Sequence, residues 1–378
     1  MATTSIDEHL DRLLAFEATT LPVISLYLNA QSDDRGRTGF DSFLRRELLP
    51  RAKTYSAGSP ERQSFDEDVD RITKFLEDDI EASANGIAIF ACSGADLFEA
   101  IQLNAPLEDN YLYAYNQPHL YHLTRLDDAY PRYAALLTDA NTARIFVLGL
   151  GETLETEEVK GKKVQRVKVG GWSQARYQRR VENAHANHAK EAIGALERIA
   201  SQENIRHIIL AGDPQMTPLL EEQMPKHLTA KLVDVMKIDL NASDQEVFSA
   251  TLERMREEDA KTDAEKVERL LREYRGRGLA MVGHEAVLEA LANGQVDELL
   301  ISAALERTHG EEQEIDAILA PEVPDSGGGT ESDEPRSVLI ADLLVTKAKQ
   351  TDARVTFIED PELLKDVEGV GAFLRWRT

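Results

Sequence analysis

Hydrophobic and polar positions follow two patterns along the chain, which predict strands and helices in turn. Short apolar runs rich in β-branched residues, as at 22–29 and 86–92, are typical of buried strands. Apolar residues spaced by three or four, as at 66–80 and 174–200, predict helices with one buried face. Because strands and helices keep alternating throughout, the sequence predicts an α/β fold.

Length and pattern together predict three domains, since a domain holds on average ~150 residues. Residues 1–131 form an N-terminal α/β domain, 132–272 a middle domain, and 273–378 a C-terminal α/β sandwich. The second boundary falls on a long helix capped by Ser243, whose interleaved charges are typical of a solvent-exposed strut. A Gly-, Ser-, Pro- and acid-rich segment at about 321–335 is predicted to be disordered.

The middle domain has a distinctive predicted order. A hairpin of two strands, at 133–139 and 143–150, precedes a basic strand at 164–169 and a glycine loop. The helix at 174–200 follows, and a buried strand at 205–211 comes next. A further strand is predicted at 232–240.

Composition narrows the possible functions. The single cysteine, Cys92, excludes a disulfide framework and a cysteine-based zinc site, and it is predicted to be a small core residue. The acidic N-terminal segment does not resemble a signal peptide, and no apolar run reaches ~18 residues, so a cytoplasmic protein without a membrane partner is expected. The formal net charge of −25 argues against a general nucleic-acid coat protein. No nucleotide-binding, nucleophile-elbow or zinc-protease motif occurs, so no cofactor is expected.

One segment of this acidic chain, residues 160–180, is strongly basic. It contains no Asp or Glu, and its basic residues are Lys160, Lys162, Lys163, Arg166, Lys168, Arg176, Arg179 and Arg180. Gly170 and Gly171 lie in its middle, where glycine permits close approach to another molecule, and Gln174 follows. The segment is predicted to be a mobile loop that carries Gln174 to RNA phosphates or to an ester of RNA. The alternative is a simple turn on a solvated hairpin edge.

Such a loop has the means for ester hydrolysis without an acid or base of its own. The reaction needs a water molecule near the carbonyl and donors aimed at the developing oxyanion. The amide of Gln174 and the loop N–H groups supply these donors, while the flanking cations hold RNA phosphates. Gln174 is also expected at a helix start, where unpaired N–H groups are exposed.

Other candidate sites have simpler explanations. His185 and His188 are three residues apart on the predicted helix, but no third ligand has a suitable spacing, so no metal site is predicted. His188 lies on the apolar face and is expected to be a packed, hydrogen-bonded core residue. Arg35 and Arg45 are candidates for a second RNA-facing patch, but an ordinary solvated surface is the favoured explanation.

The three predicted domains together resemble the bacterial branch of the archaeal and eukaryotic class-I release factor and Pelota superfamily. The resemblance spans nearly the whole chain. Its most specific matches are Gly-His-Glu-Ala-Val-Leu-Glu-Ala-Leu-Ala-Asn-Gly at 283–294 and Glu-Gly-Val-Gly-Ala-Phe-Leu-Arg-Trp at 368–376. In the middle domain, a hairpin, a basic strand, Gly170-Gly171, Gln174 and a long helix resemble the family's domain with the Gly-Gly-Gln loop.

The resemblance implies a three-domain architecture, with an RNase H-like mixed sheet in the middle domain. It also implies entry into the ribosomal A site, contact with rRNA and peptidyl-tRNA, and a C-terminal domain that faces a translational GTPase. Trp172 and Ser173 separate Gly171 from Gln174, a spacing similar to the Gly-x-x-Gln form of relatives that cleave peptidyl-tRNA in ribosome quality control. The first domain has no Asn-Ile-Lys-Ser sequence, so stop-codon decoding is not expected.

Three hypotheses remain open at this stage. The first is a ribosome-associated release or rescue factor that hydrolyses peptidyl-tRNA, with Gln174, Gly170 and Gly171 as catalytic residues. The second is a non-catalytic factor that occupies the A site of idle ribosomes, as in hibernation or protection. The third is an acidic adaptor that binds only protein.

Overall fold

The computed structural model describes residues 6–31, 39–81, 84–149, 152–160, 172–305 and 336–377. The chain divides into two compact units, one of Met1–Ala129 with Ala260–Thr378 and one of Tyr130–Asp259. Within the described ranges, no helix is both long and apolar enough to cross a membrane. The predicted boundaries near 131 and 272, and the predicted basic strand at 164–169, stay predictions. That strand and the predicted disordered segment at 321–335 lie outside the described residues.

Helices and strands alternate, as the α/β prediction requires. The helices are α1 (Ile6–Leu14), α2 (Phe40–Thr54), α3 (Pro60–Asp78), α4 (Tyr121–Ala129), α5 (Trp172–Gln202), α6 (Thr217–Gln223), α7 (Lys226–Thr229), α8 (Asp244–Arg275), α9 (His284–Ala292) and α10 (Arg336–Gln350). The strands are β1 (Val23–Asn29), β2 (Gly86–Cys92), β3 (Leu97–Leu103), β4 (Tyr111–Tyr115), β5 (Tyr133–Thr138), β6 (Thr142–Gly149), β7 (Glu152–Lys160), β8 (His207–Gly212), β9 (Leu232–Met236), β10 (Ala280–Val282), β11 (Val296–Ser302), β12 (Arg354–Ile358) and β13 (Val370–Leu374).

The N-terminal segment builds an antiparallel sheet in the order β3-β2-β1-β4. Every residue of β2 is buried, including Cys92, which explains its unbroken apolar sequence. Helix α3 starts at Pro60, six residues before the predicted position. Its N-terminus is fixed by the Ser59 hydroxyl, which accepts the N–H of Arg62, and by Pro60 in the first turn.

The C-terminal segment forms the predicted α/β sandwich, with the sheet order β10-β13-β11-β12. Strands β11 and β12 are parallel, and β13 runs antiparallel to β11. Helices α9 and α10 pack on one face of the sheet, and the end of α8 packs on the other through Val267 and Leu270. The short strand β10 was not predicted, because three residues are too few to show a period.

Unit Tyr130–Asp259 contains the predicted mixed sheet, in the order β7-β6-β5-β8-β9. The pairs β5–β8 and β8–β9 are parallel, while β5–β6 and β6–β7 are antiparallel. Ala134 and Leu136 of β5 face α5 and α6, and the alternate residues Tyr133 and Ala135 face the start of α8. Strand β9 ends at Met236, four residues earlier than predicted.

Helix α8 differs from the predicted solvent-exposed strut. Ser243 and Glu246 form the expected reciprocal cap at its N-terminus, where each side chain bonds the other residue's backbone N–H. However, Val247 and Met255 are buried in one unit, and Val267 and Leu270 are buried in the other. Most of the charged residues lie on the exposed faces, although Asp263 is buried, and the prediction gave too little weight to the apolar stripe between them.

Candidate functional site

In the sequence, the basic segment lies between strand β7 and helix α5. Strand β7 ends at Lys160, opposite Thr142 of β6, and α5 begins at Trp172. Most of the residues predicted to bind RNA or permit close approach lie between these two elements and outside the described residues: Lys162, Lys163, Arg166, Lys168, Gly170 and Gly171. The structure therefore fixes the two ends of the predicted loop.

Strand β7 is an acidic edge strand that the sequence pattern did not predict. Glu157 accepts a hydrogen bond of 2.7 Å from Arg198, which ties the strand to α5. Lys160, predicted to bind RNA, is 75% exposed at its side chain and lies 3.3 Å from a carboxylate oxygen of Glu158. An edge strand needs few apolar positions, so β7 carries little hydrophobic signal. The β-branched residues Thr153, Thr156 and Val159 among the glutamates were the available clue.

Helix α5 is anchored by its C-terminal half. From residue 179 onward, the first buried side chain is His188, and most of the apolar contacts follow it, through Ala192, Leu196 and Ile199. Arg179 and Arg180, two of the predicted RNA-binding residues, are exposed. At 1.5 Å per residue, the stretch from Trp172 to His188 is about 24 Å long. Among the side chains described, the buried contacts that hold α5 thus begin about 24 Å from Trp172.

Gln174 lies in the first turn of α5. This agrees with the prediction that it starts a helix, although the helix begins two residues earlier. The first turn contains no acidic residue, and its N–H groups have no partner within the helix, so this end carries a positive potential. Trp172 and Ser173 are helical, which places the Cα atom of Gln174 about 3 Å along the axis from that of Trp172. The side chains of Gln174 and Arg176 lie outside the described part of the chain.

The histidines of α5 do not form a metal centre with neighbouring ligands. Within the described ranges, no group of three or more His, Cys, Asp and Glu side chains is placed to hold a metal ion. His188 is buried as predicted, but neither ring nitrogen has a hydrogen-bond partner among the described residues, so that part of the prediction was wrong. Of the suggested second patch, Arg45 is exposed and Arg35 lies outside the described residues.

A second concentration of polar side chains, which sequence reasoning missed, surrounds α4. Asp342 of α10 accepts hydrogen bonds from the N–H groups of Leu120 (2.6 Å) and Tyr121 (3.1 Å), and thereby caps the N-terminus of α4. At the other end of the helix, Asp128 accepts the N–H of Phe357 at 2.8 Å. The N-terminal and C-terminal segments are therefore joined by carboxylates at both ends of one helix.

These two carboxyl groups have shifted acidities. Burial raises the pKa of Asp342 to about 7, and the two backbone N–H groups oppose the shift. Burial also raises the pKa of Asp128 to about 7, against the N–H of Phe357 and the nearby Lys266. Asp342 is buried and Asp128 is half-buried, and both bond backbone N–H groups of other elements, so they serve the structure of this unit rather than open a cleft for a substrate.

Two family models match adjacent parts of the chain. The bacterial archaeo-eukaryotic release factor family 10 matches residues 118–257, and eRF1 domain 3 matches residues 260–378. These matches define the class of protein as a release-factor-like translation factor. Together the two matches support a bacterial archaeo-eukaryotic release factor-like protein, as the resemblance of its residues predicted.

Solved structures of the same superfamily are similar only at a distance. The archaeal translation termination factor aRF1 is 18% identical, with 98% of this chain and 97% of that chain covered and a TM-score of 0.27. Dom34 of S. cerevisiae is 10% identical, with coverages of 78% and 80% and a TM-score of 0.44. Archaeal Pelota from a ribosome-bound model is 15% identical, with coverages of 100% and 96% and a TM-score of 0.39. Such scores carry no argument of their own, so the assignment rests on the family models. No curated protein sequence matches the chain.

Proposed function

We propose that this protein is a ribosome-associated release or rescue factor, which hydrolyses peptidyl-tRNA in the A site without decoding a stop codon. The observation that carries the proposal is the position of Gln174. It lies in the first turn of helix α5, directly after a basic glycine-containing segment, in a chain that matches release-factor family models. The A site lies in the cytoplasm, where the protein would act.

The proposed chemistry needs positioning more than acid or base strength. The Gln174 amide would orient a water molecule at the ester carbonyl, and Gly170 and Gly171 would permit close approach. Unpaired N–H groups at the start of α5 would stabilise the oxyanion that develops in the transition state. Arg176, Arg179 and Arg180 would hold rRNA or tRNA phosphates, as would the lysines of the segment.

The test is release of labelled peptide from peptidyl-tRNA on purified ribosomes. Gln174→Ala should abolish release while ribosome binding, measured by co-sedimentation, is retained. Gln178→Ala is the matched control, because it removes the same amide one helical turn further along α5. Equal losses in both variants, or unchanged release in Gln174→Ala, would contradict the proposed role of Gln174.

The second candidate function is a non-catalytic A-site occupant that protects idle ribosomes. One observation favours it: Trp172 and Ser173 belong to α5, so Gln174 is held on a helix rather than at the tip of the loop. This candidate predicts tight co-sedimentation with no release by the wild-type protein. Both candidates predict that Arg179→Glu with Arg180→Glu weakens ribosome binding, whereas an acidic adaptor that binds only protein would be unaffected.

A partner for the C-terminal segment belongs to the same proposal. The S. cerevisiae Dom34 structure is described as interacting with Hbs1, and the archaeal Pelota model includes ABCE1. By analogy, residues 260–378, which match eRF1 domain 3, would face a translational GTPase. Cross-linking of the full chain on ribosomes, followed by mass spectrometry, would identify the protein that contacts this segment.

A further inference from the structure

The last turn of α8 and the residues after β13 form a surface unlike the rest of this acidic chain. Three large apolar side chains are about half exposed there: Tyr274 (47%), Leu279 (45%) and Trp376 (48%). The backbone brings the two segments together, since the N–H of Leu374 bonds the carbonyl of Leu279. Arg377 donates a hydrogen bond of 3.0 Å to the carbonyl of Gly278.

The basic residues of this surface are all arginines. They are Arg272, Arg275, Arg277, Arg375 and Arg377. Three carboxylates lie among them: Glu268 pairs with Arg272 at 2.9 Å, Asp297 lies 3.9 Å from Arg375, and Glu273 packs under the turn at Gly278. Arg275 and Arg277 are exposed, and no carboxylate of the described residues is within ion-pair distance of either. Local positive charge therefore remains after internal pairing.

The backbone at Arg277 supports a role outside the fold. The chain leaves α8 through a turn in which the N–H of Gly278 bonds the carbonyl of Glu273, and Arg277 has φ of 56°. This left-handed position at a helix C-terminus usually holds glycine, because a Cβ atom is unfavourable there. Arg277, one of five described non-glycine residues with positive φ, thus holds its side chain at some cost in backbone energy, which glycine would relieve.

We propose that Tyr274, Arg275, Arg277, Trp376 and Arg377, named here the arginine–aromatic surface, bind unpaired RNA. Exposed aromatic rings stack on bases of any sequence, and arginine both stacks and pairs with phosphate through its planar guanidinium group. The surface suits RNA rather than lipid or a purely apolar partner, because exposed arginines adjoin both rings in the sequence: Arg275 follows Tyr274, and Arg375 and Arg377 flank Trp376. The proposal is independent of peptide release, since it concerns a different segment from residues 160–180.

The test separates this surface from the basic segment by a spectroscopic signal. The chain has two tryptophans, so Trp172→Phe leaves Trp376 as its only one. In that background, a single-stranded RNA of about 10 nucleotides should quench the remaining fluorescence in a saturable titration. Arg275→Ala with Arg277→Ala should reduce the slope of log affinity against log salt, measured through this quenching, by about 1.4. Trp376→Ala should weaken binding of labelled RNA by about fivefold or more.

Two further variants separate binding from folding. Arg277→Gly should raise the melting temperature, because glycine fits the left-handed backbone, and should still weaken RNA binding. Lys365→Ala is the charge-matched control for Arg277→Gly: it removes one exposed cation that is not part of the arginine–aromatic surface. Equal effects of Lys365→Ala and Arg277→Gly on RNA binding would overturn the proposal. Quenching of Trp376 by an acidic peptide but not by RNA would overturn it too, in favour of a protein partner.

Discussion

The carboxyl group of Asp342 offers a sharp test of how this protein is held together. It caps α4 from another part of the sequence, 222 residues from Leu120, and its surroundings bury it. In Asp342→Asn, the amide oxygen can still accept the N–H groups of Leu120 and Tyr121, but the side chain never ionises. The substitution therefore separates the hydrogen bonds from the charge.

The sign and size of the effect follow from the pKa. Burial raises the pKa of Asp342 from 3.8 to about 7, so between these values the folded state binds a proton that the unfolded state has lost. The resulting stabilisation is complete below about pH 4 and is lost as the pH rises through about 7. At 1.36 kcal/mol per pKa unit, the free energy of unfolding of the wild type, relative to that of Asp342→Asn, should fall by about 4 kcal/mol as the pH rises from about 4 to above 7.

The charged groups near Asp342 limit this effect. His119 is the closest ionisable side chain, with its Nδ1 atom 3.9 Å from Asp342 Oδ1. A positive charge on that ring would favour the carboxylate and so reduce the loss of wild-type stability as the pH rises. The two N–H groups from the start of α4 act in the same direction.

Urea unfolding at pH 5, 6, 7 and 8 measures the difference between wild type and Asp342→Asn. The stability of the wild type relative to the variant should decrease by about 3 kcal/mol across this range, most of it below pH 7. Asp366→Asn, an exposed carboxylate in the same segment, should change stability by less than about 0.5 kcal/mol at every pH. A gap between wild type and Asp342→Asn that stays constant with pH would refute the reasoning.

Substitutions at three other positions can be tested by urea unfolding, two in the same unit and one in unit Tyr130–Asp259. Asp128→Asn keeps an acceptor for the N–H of Phe357 but removes a carboxyl group whose pKa burial raises to about 7. The free energy of unfolding of this variant should therefore increase relative to that of the wild type as the pH rises from 5 to 8. A relative decrease would contradict this. Tyr121→Phe removes hydroxyl contacts of 3.3 Å to two carbonyls and should lower the free energy of unfolding by about 1 kcal/mol. Tyr121→Ala should lower it by about 3–5 kcal/mol, because the packed ring is lost as well. Equal losses would show that packing of the ring is unimportant. Gly212→Ala should destabilise by more than about 2 kcal/mol, because φ is +122° and a Cβ atom would lie 2.0 Å from the carbonyl oxygen of Thr138; a neutral effect would mean that this turn rearranges freely.

Most elements of the fold were predictable because their signals are local. Strands β1 and β2 appear as continuous apolar runs, and the cap of α8 appears as Ser243 followed by Glu246 three residues later. The position of the candidate site in the chain was predictable to a similar extent. The helix that carries Gln174 was expected from its apolar period, and its observed start at Trp172 differs by two residues.

Elements that depend on distant partners were not predictable. Helix α4 has few apolar positions, and its N-terminus is capped by Asp342, which no local pattern connects to it. Strand β7 has few apolar residues because it pairs with β6 at a sheet edge and is tied to α5 through Glu157 and Arg198.

The sequence alone determined the α/β class, most helix and strand positions, the basic Gly-Gly segment before Gln174, and the family. The reason is that periodicity, caps and charge runs are set by residues within a few positions of one another. Tertiary structure alone decided which buried carboxyl caps α4 and how Tyr274, Arg277 and Trp376 come to share one surface. Such outcomes depend on residues far apart in the chain, whose polar groups must find partners once folding removes them from water.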